Sequence, residues 1–307
     1  MKFLLVVLPT LAVLLFWVCV GVVLAGCGYL LRRAVSRLGP WSSPVALGMV
    51  DCWIGLAGLV AYLLVWNLWF AVTWVACIAP VVLGAAGAVL GGSRLARLPL
   101  RRPSPAVLVV GAVSILWLAN ASLTTAQDYD YGLYHLNLID YAKQYAAIPG
   151  LANLHTRLGA GDAHLLFAAL VDHGPLAGVA PHLVDGLLAA LLLVDLCARL
   201  ALRPPSSWLA SFTSTLGLLL VPTVIIVAAL RPTHRLSSPN LDFAVFVLVI
   251  AGVLYLAECV ERGFSLAAAL GSTGALASAA ATRPLYWLWA GFAVVVLCAR
   301  AQPGRPA

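Results

Sequence analysis

Runs of about 20 apolar residues recur along this chain, each long enough to cross a hydrocarbon core of about 30 Å. The alternating ten-residue segments of a membrane β-barrel are not the pattern. The 307 residues are 63% apolar and only 9% charged, with a mean hydropathy of +1.01. Soluble domains of this length do not have that composition. The pattern predicts an all-α, polytopic transmembrane helix bundle of about nine spans: 3–30, 44–66, 68–91, 104–122, 178–198, 208–230, 241–260, 264–281 and 285–300. Residues 1–307 then form one integral membrane domain with a single long loop at 123–177.

The first run is too long, and too poor in basic residues at its start, for a cleaved leader, so it reads as a retained span. The formal charge of +7 does not point to nucleic acid, because the arginines cluster at span ends: Arg32, Arg33 and Arg37, then Arg94, Arg97, Arg101 and Arg102. Clusters so placed hold loops in the cytoplasm. With the N-terminus outside, twelve Lys and Arg residues fall on the inner side and six on the outer. The expectation is a multi-pass cell-membrane protein with its C-terminus in the cytoplasm. Loop 123–177, residues 231–240 and the Thr282-Arg-Pro284 turn then face outward, and all six histidines lie on or near that face. The seven cysteines fall within or at the ends of apolar runs and form no Cys-x-x-Cys pair. They read as small hydrophobic residues rather than disulfide or zinc ligands.

Polar chemistry concentrates in the long loop, from Asp128-Tyr-Asp-Tyr-Gly-Leu-Tyr-His135 to Asn153-Leu-His-Thr-Arg157. The spacing predicts a helix over 130–147, with Tyr134, Leu138, Tyr141 and Tyr145 on one aromatic face lying in the membrane interface. Pro149-Gly150 ends it. A second apolar segment, 163–171, is too short to span and is expected to lie along the membrane or re-enter it.

Asp128 and Asp130 open the loop directly after a span. A carboxylate there can serve as general base to an acceptor hydroxyl or help hold a divalent cation; it also reads as a solvated loop acid. His135, His155 and Arg157 are candidates for binding phosphate, arginine through its charged fork and histidine as donor or proton shuttle. The second outer segment adds Arg231, His234, Arg235 and Asp242, and the third adds Arg283. Each has a plainer reading as a turn residue, a cap or a headgroup anchor. Asp51, Asp185 and Asp195 lie in or near spans and are read as helix-pairing or terminal residues. The nine-residue spacing of His164, His173 and His182 does not place three ligands together on one helical face, and no P-loop or Gly-x-Ser-x-Gly is present.

The order Asp130-Tyr-Gly-Leu-Tyr-His135, Ile148-Pro-Gly-Leu-Ala-Asn-Leu-His-Thr-Arg-Leu158, Ser238-Pro-Asn-Leu-Asp242 and Thr282-Arg-Pro284 resembles a family of largely uncharacterised bacterial polytopic membrane proteins, itself similar to the GT-C glycosyltransferases. The resemblance covers about 105–300, and the run ending at Leu158 is its specific part. It implies a GT-C-like fold with interfacial helices in the first large outer loop and a polyprenyl-phosphate sugar as donor. Asp130, or Asp128, is the implied base, and Arg157, Arg231, Arg235 and Arg283 are candidates for the lipid phosphate. The chain departs from the pattern at Gly159-Ala-Gly-Asp162, where a polar Asn-Ser continuation is expected, and it reads as shortened at its C-terminal end. Two alternatives stay open: a transporter or flippase of a lipid-linked or anionic solute, and a non-catalytic membrane assembly subunit. The partners expected are membrane lipid and a lipid-linked sugar donor.

Overall fold

The computed structural model describes residues 2–38, 47–95, 104–125, 129–159, 163–202 and 236–301, with 208, 212 and 215–217 in between. Among the described residues every regular element is helical. The long helices are α1 (Lys2–Ser36), α2 (Met49–Asn67), α3 (Trp74–Leu95) and α4 (Pro105–Ser122). The loop carries a π-turn (Tyr131–His135), α5 (Leu136–Gln144), α6 (Leu151–Leu154), a 3-10 turn (Thr156–Gly159) and α7 (Ala163–Val171). Then come α8 (Val184–Leu202), α9 (Leu241–Arg262), α10 (Leu266–Thr282) and α11 (Trp287–Arg300).

These boundaries follow from local chemistry. Ser104 accepts a hydrogen bond from Val107 N at 3.3 Å and Pro105 pre-sets the first turn of α4. Asn240 does the same for α9 through Phe243 N at 3.0 Å, and Gly263, with φ of 83°, ends that helix.

Among the described residues five helices are long and apolar enough to cross a membrane: Val7–Ser36, Met49–Asn67, Trp74–Ser93, Pro105–Ser122 and Leu241–Arg262. The remaining expected spans differ. Helix α8 has the length, 19 residues, but carries Asp185, Asp195 and Arg199. Helices α10 and α11 are shorter, at 17 and 14 residues. The expected span at 208–230 lies outside the described residues.

Helix α8 is the buried centre. Val184, Leu187, Leu188, Leu192 and Leu196 have almost no exposure, and so do its carboxylates Asp185 and Asp195. Buried charge is tolerable only when paired and hydrogen-bonded. Asp195 accepts from Trp53 Nε1 (3.0 Å), Tyr255 Oη (2.8 Å) and Arg199 Nε (2.9 Å), joining α2, α8 and α9. Asp51 takes both Nε and Nη2 of Arg32, at 2.7 and 2.8 Å, joining α1 to α2. These two span carboxylates therefore pair helices. The contact of α1 with α2 is close enough that a Cβ on Gly28 would overlap the carbonyl of Asp51.

Contacts sort the bundle into two ends. At one end Thr10 Oγ1 donates to Asn120 Oδ1 (3.2 Å), Trp17 Nε1 to Leu183 O (3.0 Å), and Asn67 Nδ2 to Tyr145 O (3.3 Å). This loop end therefore holds the start of α1, the α2–α3 turn, the end of α4, the long loop and the starts of α8 and α9. Trp69, Trp74, Tyr129 and Trp287 are exposed there, the aromatic placement typical of a membrane–water boundary. Arg32, Asp51, Arg199 and Glu258 mark the opposite, far end.

The loop helix departs from expectation in phase. It ends at Gln144, with Tyr145 in extended conformation. Its buried side is Tyr134, His135, Ile139 and Ala142, while Tyr145 is 52% exposed. A π-turn holds one residue more than an α-turn, and this breaks the 3.6-residue count that put Tyr134 and Tyr145 on one face. Segment 163–171 is helical as bounded, but it is an internal piece. Ala163, His164, Leu165, Phe167, Ala168, Ala169 and Leu170 are all buried.

Candidate functional site at the loop end

Asp130 stands just before the π-turn, and Tyr134 follows one turn later. The Tyr134 hydroxyl donates to Asp130 Oδ2 at 3.0 Å. Arg157, carried by the 3-10 turn after α6, donates from Nη1 to Asp130 Oδ1 at 2.7 Å and lies over the Tyr134 ring, 5.2 Å from its centroid. His155 supports that turn by accepting the backbone N–H of Arg157 at Nδ1, 3.3 Å away. The ion pair is open: the Arg157 side chain is 52% exposed and that of Asp130 37%.

Electrostatics bring in a third element. Burial, then the hydrogen bond to Asp130, pushes the Tyr134 phenol up, while Arg157 and Arg283 pull it down. Arg283 belongs to this third element. It caps the C-terminus of α10 and donates from Nε to Asp242 Oδ1 at 3.1 Å, in the first turn of α9. Asp130 raises the pKa of Arg157 still further, so its positive charge is permanent at any working pH.

Of the residues singled out in the sequence, Asp130, Arg157, His155, Asp242 and Arg283 are thus brought to one end. His135 is not part of the open site. It is buried, edge-on to Tyr134 at 4.4 Å between centroids, because the π-turn directs it inward with Tyr134. Asp128, Arg231, His234 and Arg235 lie outside the described residues.

Tyr134 as the partner of Asp130 is signalled in the sequence by the i,i+4 spacing alone. Behind the site stands a scaffold that no local spacing signals. His182 Nδ1 donates to Ser237 O, which leaves Nε2 to accept from the Tyr131 hydroxyl at 3.3 Å. Burial, then the carboxylates of Asp172 and Asp140, push Tyr131 up to about 12. Asp172 itself takes Lys143 Nζ and the backbone N–H of Gly178, the latter at 2.6 Å, pinning the end of α5. His164 Nε2 meets Asp185 Oδ1 at 2.7 Å, and Asp185 Oδ2 accepts from Asn240 N at 2.8 Å. His173 Nε2 lies 3.0 Å from Val72 O. The three evenly spaced histidines thus go to three separate partners, and among the described residues no three metal-binding side chains converge.

Beside the ion pair, α5, α6, the 3-10 turn and α7 enclose an apolar cavity of ≈ 280 Å³. Tyr141, Tyr145, Leu151, Leu158, Leu165 and Leu166 are among the residues that line it. Leu158 follows Arg157 directly, so this cavity adjoins the charged site.

The family described as "Domain of unknown function (DUF8201)" matches residues 11–288. The chain belongs to this family. The match contains Asp130, His155, Arg157, Asp242 and Arg283, so the whole loop-end site lies in the family's shared region. No curated protein and no solved structure matches the chain.

Proposed function

We propose that the chain is a GT-C-like membrane glycosyltransferase that moves a sugar from a polyprenyl-phosphate donor to an acceptor hydroxyl at the extracytoplasmic, loop end of the bundle. The observation that carries this reading is the open ion pair of Asp130 and Arg157, 2.7 Å apart, with Arg283 nearby. A carboxylate and phosphate-binding guanidinium groups are the two tools such a transfer needs. The donor phosphate replaces Asp130 on Arg157, which frees the carboxylate. The acceptor oxygen then bonds to the anomeric carbon, its proton passes to Asp130, and the bond from that carbon to phosphate oxygen breaks. Polyprenyl phosphate leaves with its negative charge held by Arg157 and Arg283. The apolar cavity beside Leu158 is the place for the first part of the donor's hydrocarbon chain.

The test is transfer from a radiolabelled polyprenyl-phosphate sugar in membranes carrying the full chain. Asp130→Asn keeps the shape and removes the base, so a rate loss of about 10²-fold or more is expected at unchanged protein level. Full transfer by that variant would remove Asp130 from the base role.

A further inference from the structure

The far end holds a second cavity, of ≈ 510 Å³, remote from Asp130. One wall is apolar, formed by Ala25, Leu47, Met49 and Val50; the other carries Arg199, Glu258 and Arg262. A volume of several hundred Å³ with few converging polar groups is the usual form of a ligand site. Ionisable groups held among membrane-spanning helices point the same way.

The charges decide what would bind. Asp195, which also lines the cavity, accepts from three donors. Arg199 is 4% exposed, and two of its five N–H groups go to carboxylates: Nε to Asp195 at 2.9 Å and Nη1 to Glu258 at 3.2 Å. The Glu258 side chain is 21% exposed, so a ligand at the cavity competes with it for Arg199. Arg262, one turn further along α9, is exposed at the cavity and makes no ion pair among the described residues. Arg262 therefore offers a guanidinium with no carboxylate partner among the described residues, next to a hydrocarbon wall.

We propose that this cavity is a second binding site, for a phosphate-bearing amphiphile whose anionic group sits between Arg199 and Arg262 in place of Glu258. Two sources share that chemistry: the headgroup of an anionic lipid, and a soluble organic phosphate. Basic pockets between membrane helices are a known setting for the first.

The full chain, carrying Arg157→Ala and Arg283→Ala to silence the loop-end arginines, is titrated while its thermal midpoint is followed. One series uses glycerol 3-phosphate in detergent; the other uses nanodiscs with increasing phosphatidylglycerol in phosphatidylcholine. A saturable rise in the midpoint with either probe supports the site. A rise in nanodiscs alone assigns a lipid headgroup, and a rise with glycerol 3-phosphate assigns a soluble phosphate. Arg262→Ala is exposed and leaves the core intact; it should weaken binding about tenfold, the size of one charge-assisted hydrogen bond. Glu258→Gln removes the competing carboxylate and should tighten binding. No saturable rise with either probe, or affinities unmoved by both substitutions, would overturn the proposal.

Discussion

Replacing Asp195 by leucine tests whether the far-end charges are as buried as their contacts imply. Asp195 is 2% exposed and Arg199 4%, with Oδ1 and Nε 2.9 Å apart. At an effective dielectric of about 20, two unit charges at that distance attract by about 6 kcal/mol before desolvation is counted. Desolvation offsets most of this, so the net value of the pair is small. Loss of one partner is different, because Arg199 keeps its desolvation cost while losing its nearest carboxylate. That places the cost of Asp195→Leu at about 3–5 kcal/mol, with the orphaned Trp53 and Tyr255 donors adding to it. Adding Arg199→Met removes the stranded charge and should recover about half. Glu258, left without Arg199, is partly exposed, and its carboxylate can reach water. The assay is reversible unfolding in a mixed-micelle SDS titration of the wild type, both single variants and the double. A cost below about 1 kcal/mol for Asp195→Leu would refute the burial argument. So would a double variant whose loss equals the sum of the singles, since coupled neighbours do not add.

Two further outcomes follow. Tyr131 has its folded pKa raised from 10.0 to about 12. A group raised on folding contributes stability that is complete below its unfolded pKa and is lost as pH rises through the folded one. Stability should therefore fall from about pH 10 to pH 12 in an alkaline titration, and Tyr131→Phe should flatten that window; an unchanged profile would count against the buried phenol. For sidedness, single cysteines placed at Asn153 and at Arg37 should react oppositely with an impermeant maleimide. In intact cells the first should label and the second only after permeabilisation, and the reverse pattern would invert the orientation argued from arginine.

What the sequence disclosed, and what it hid, follows from the range of the interactions. Helices are local, so apolar runs located α2, α4, α9 and α7 closely, and Ser104-Pro105 and Gly263 mark ends through their own backbone preferences. The count of membrane-crossing helices was less legible. In α8, Asp185, Asp195 and Arg199 make a buried helix look like a span with blemishes, and only its partners on α2, α7 and α9 explain them. The phase of the loop helix was hidden because the π-turn that contains Tyr134 sets it out of register with α5, and Tyr145 leaves the helix in extended conformation. Asp130, Arg157 and Arg283 could be chosen by residue type and sidedness. That Arg157 touches Asp130 could not, since they lie 27 positions apart in the loop.

The two kinds of ion pair in this bundle differ in what they can do. Arg32 with Asp51 is fully enclosed and bidentate. Opening it would strand charge in a medium without water, so it holds α1 and α2 in register and does little else. Arg157 with Asp130 is half exposed, and a pair at the surface contributes little to stability because water competes for both ends. Its partners are therefore exchangeable at low cost, which is what a site needs if a phosphate is to take the arginine and release the carboxylate. Tyr134, held to Asp130 and stacked under Arg157, would keep both groups in place during the proposed exchange. An asymmetry between variants is expected. Tyr134→Phe should leave stability nearly unchanged, within about 1 kcal/mol for one partly exposed hydrogen bond, yet slow transfer by loosening the geometry at Asp130. If it lowers stability and leaves transfer intact, Tyr134 belongs to the scaffold and Asp130 is positioned by other means.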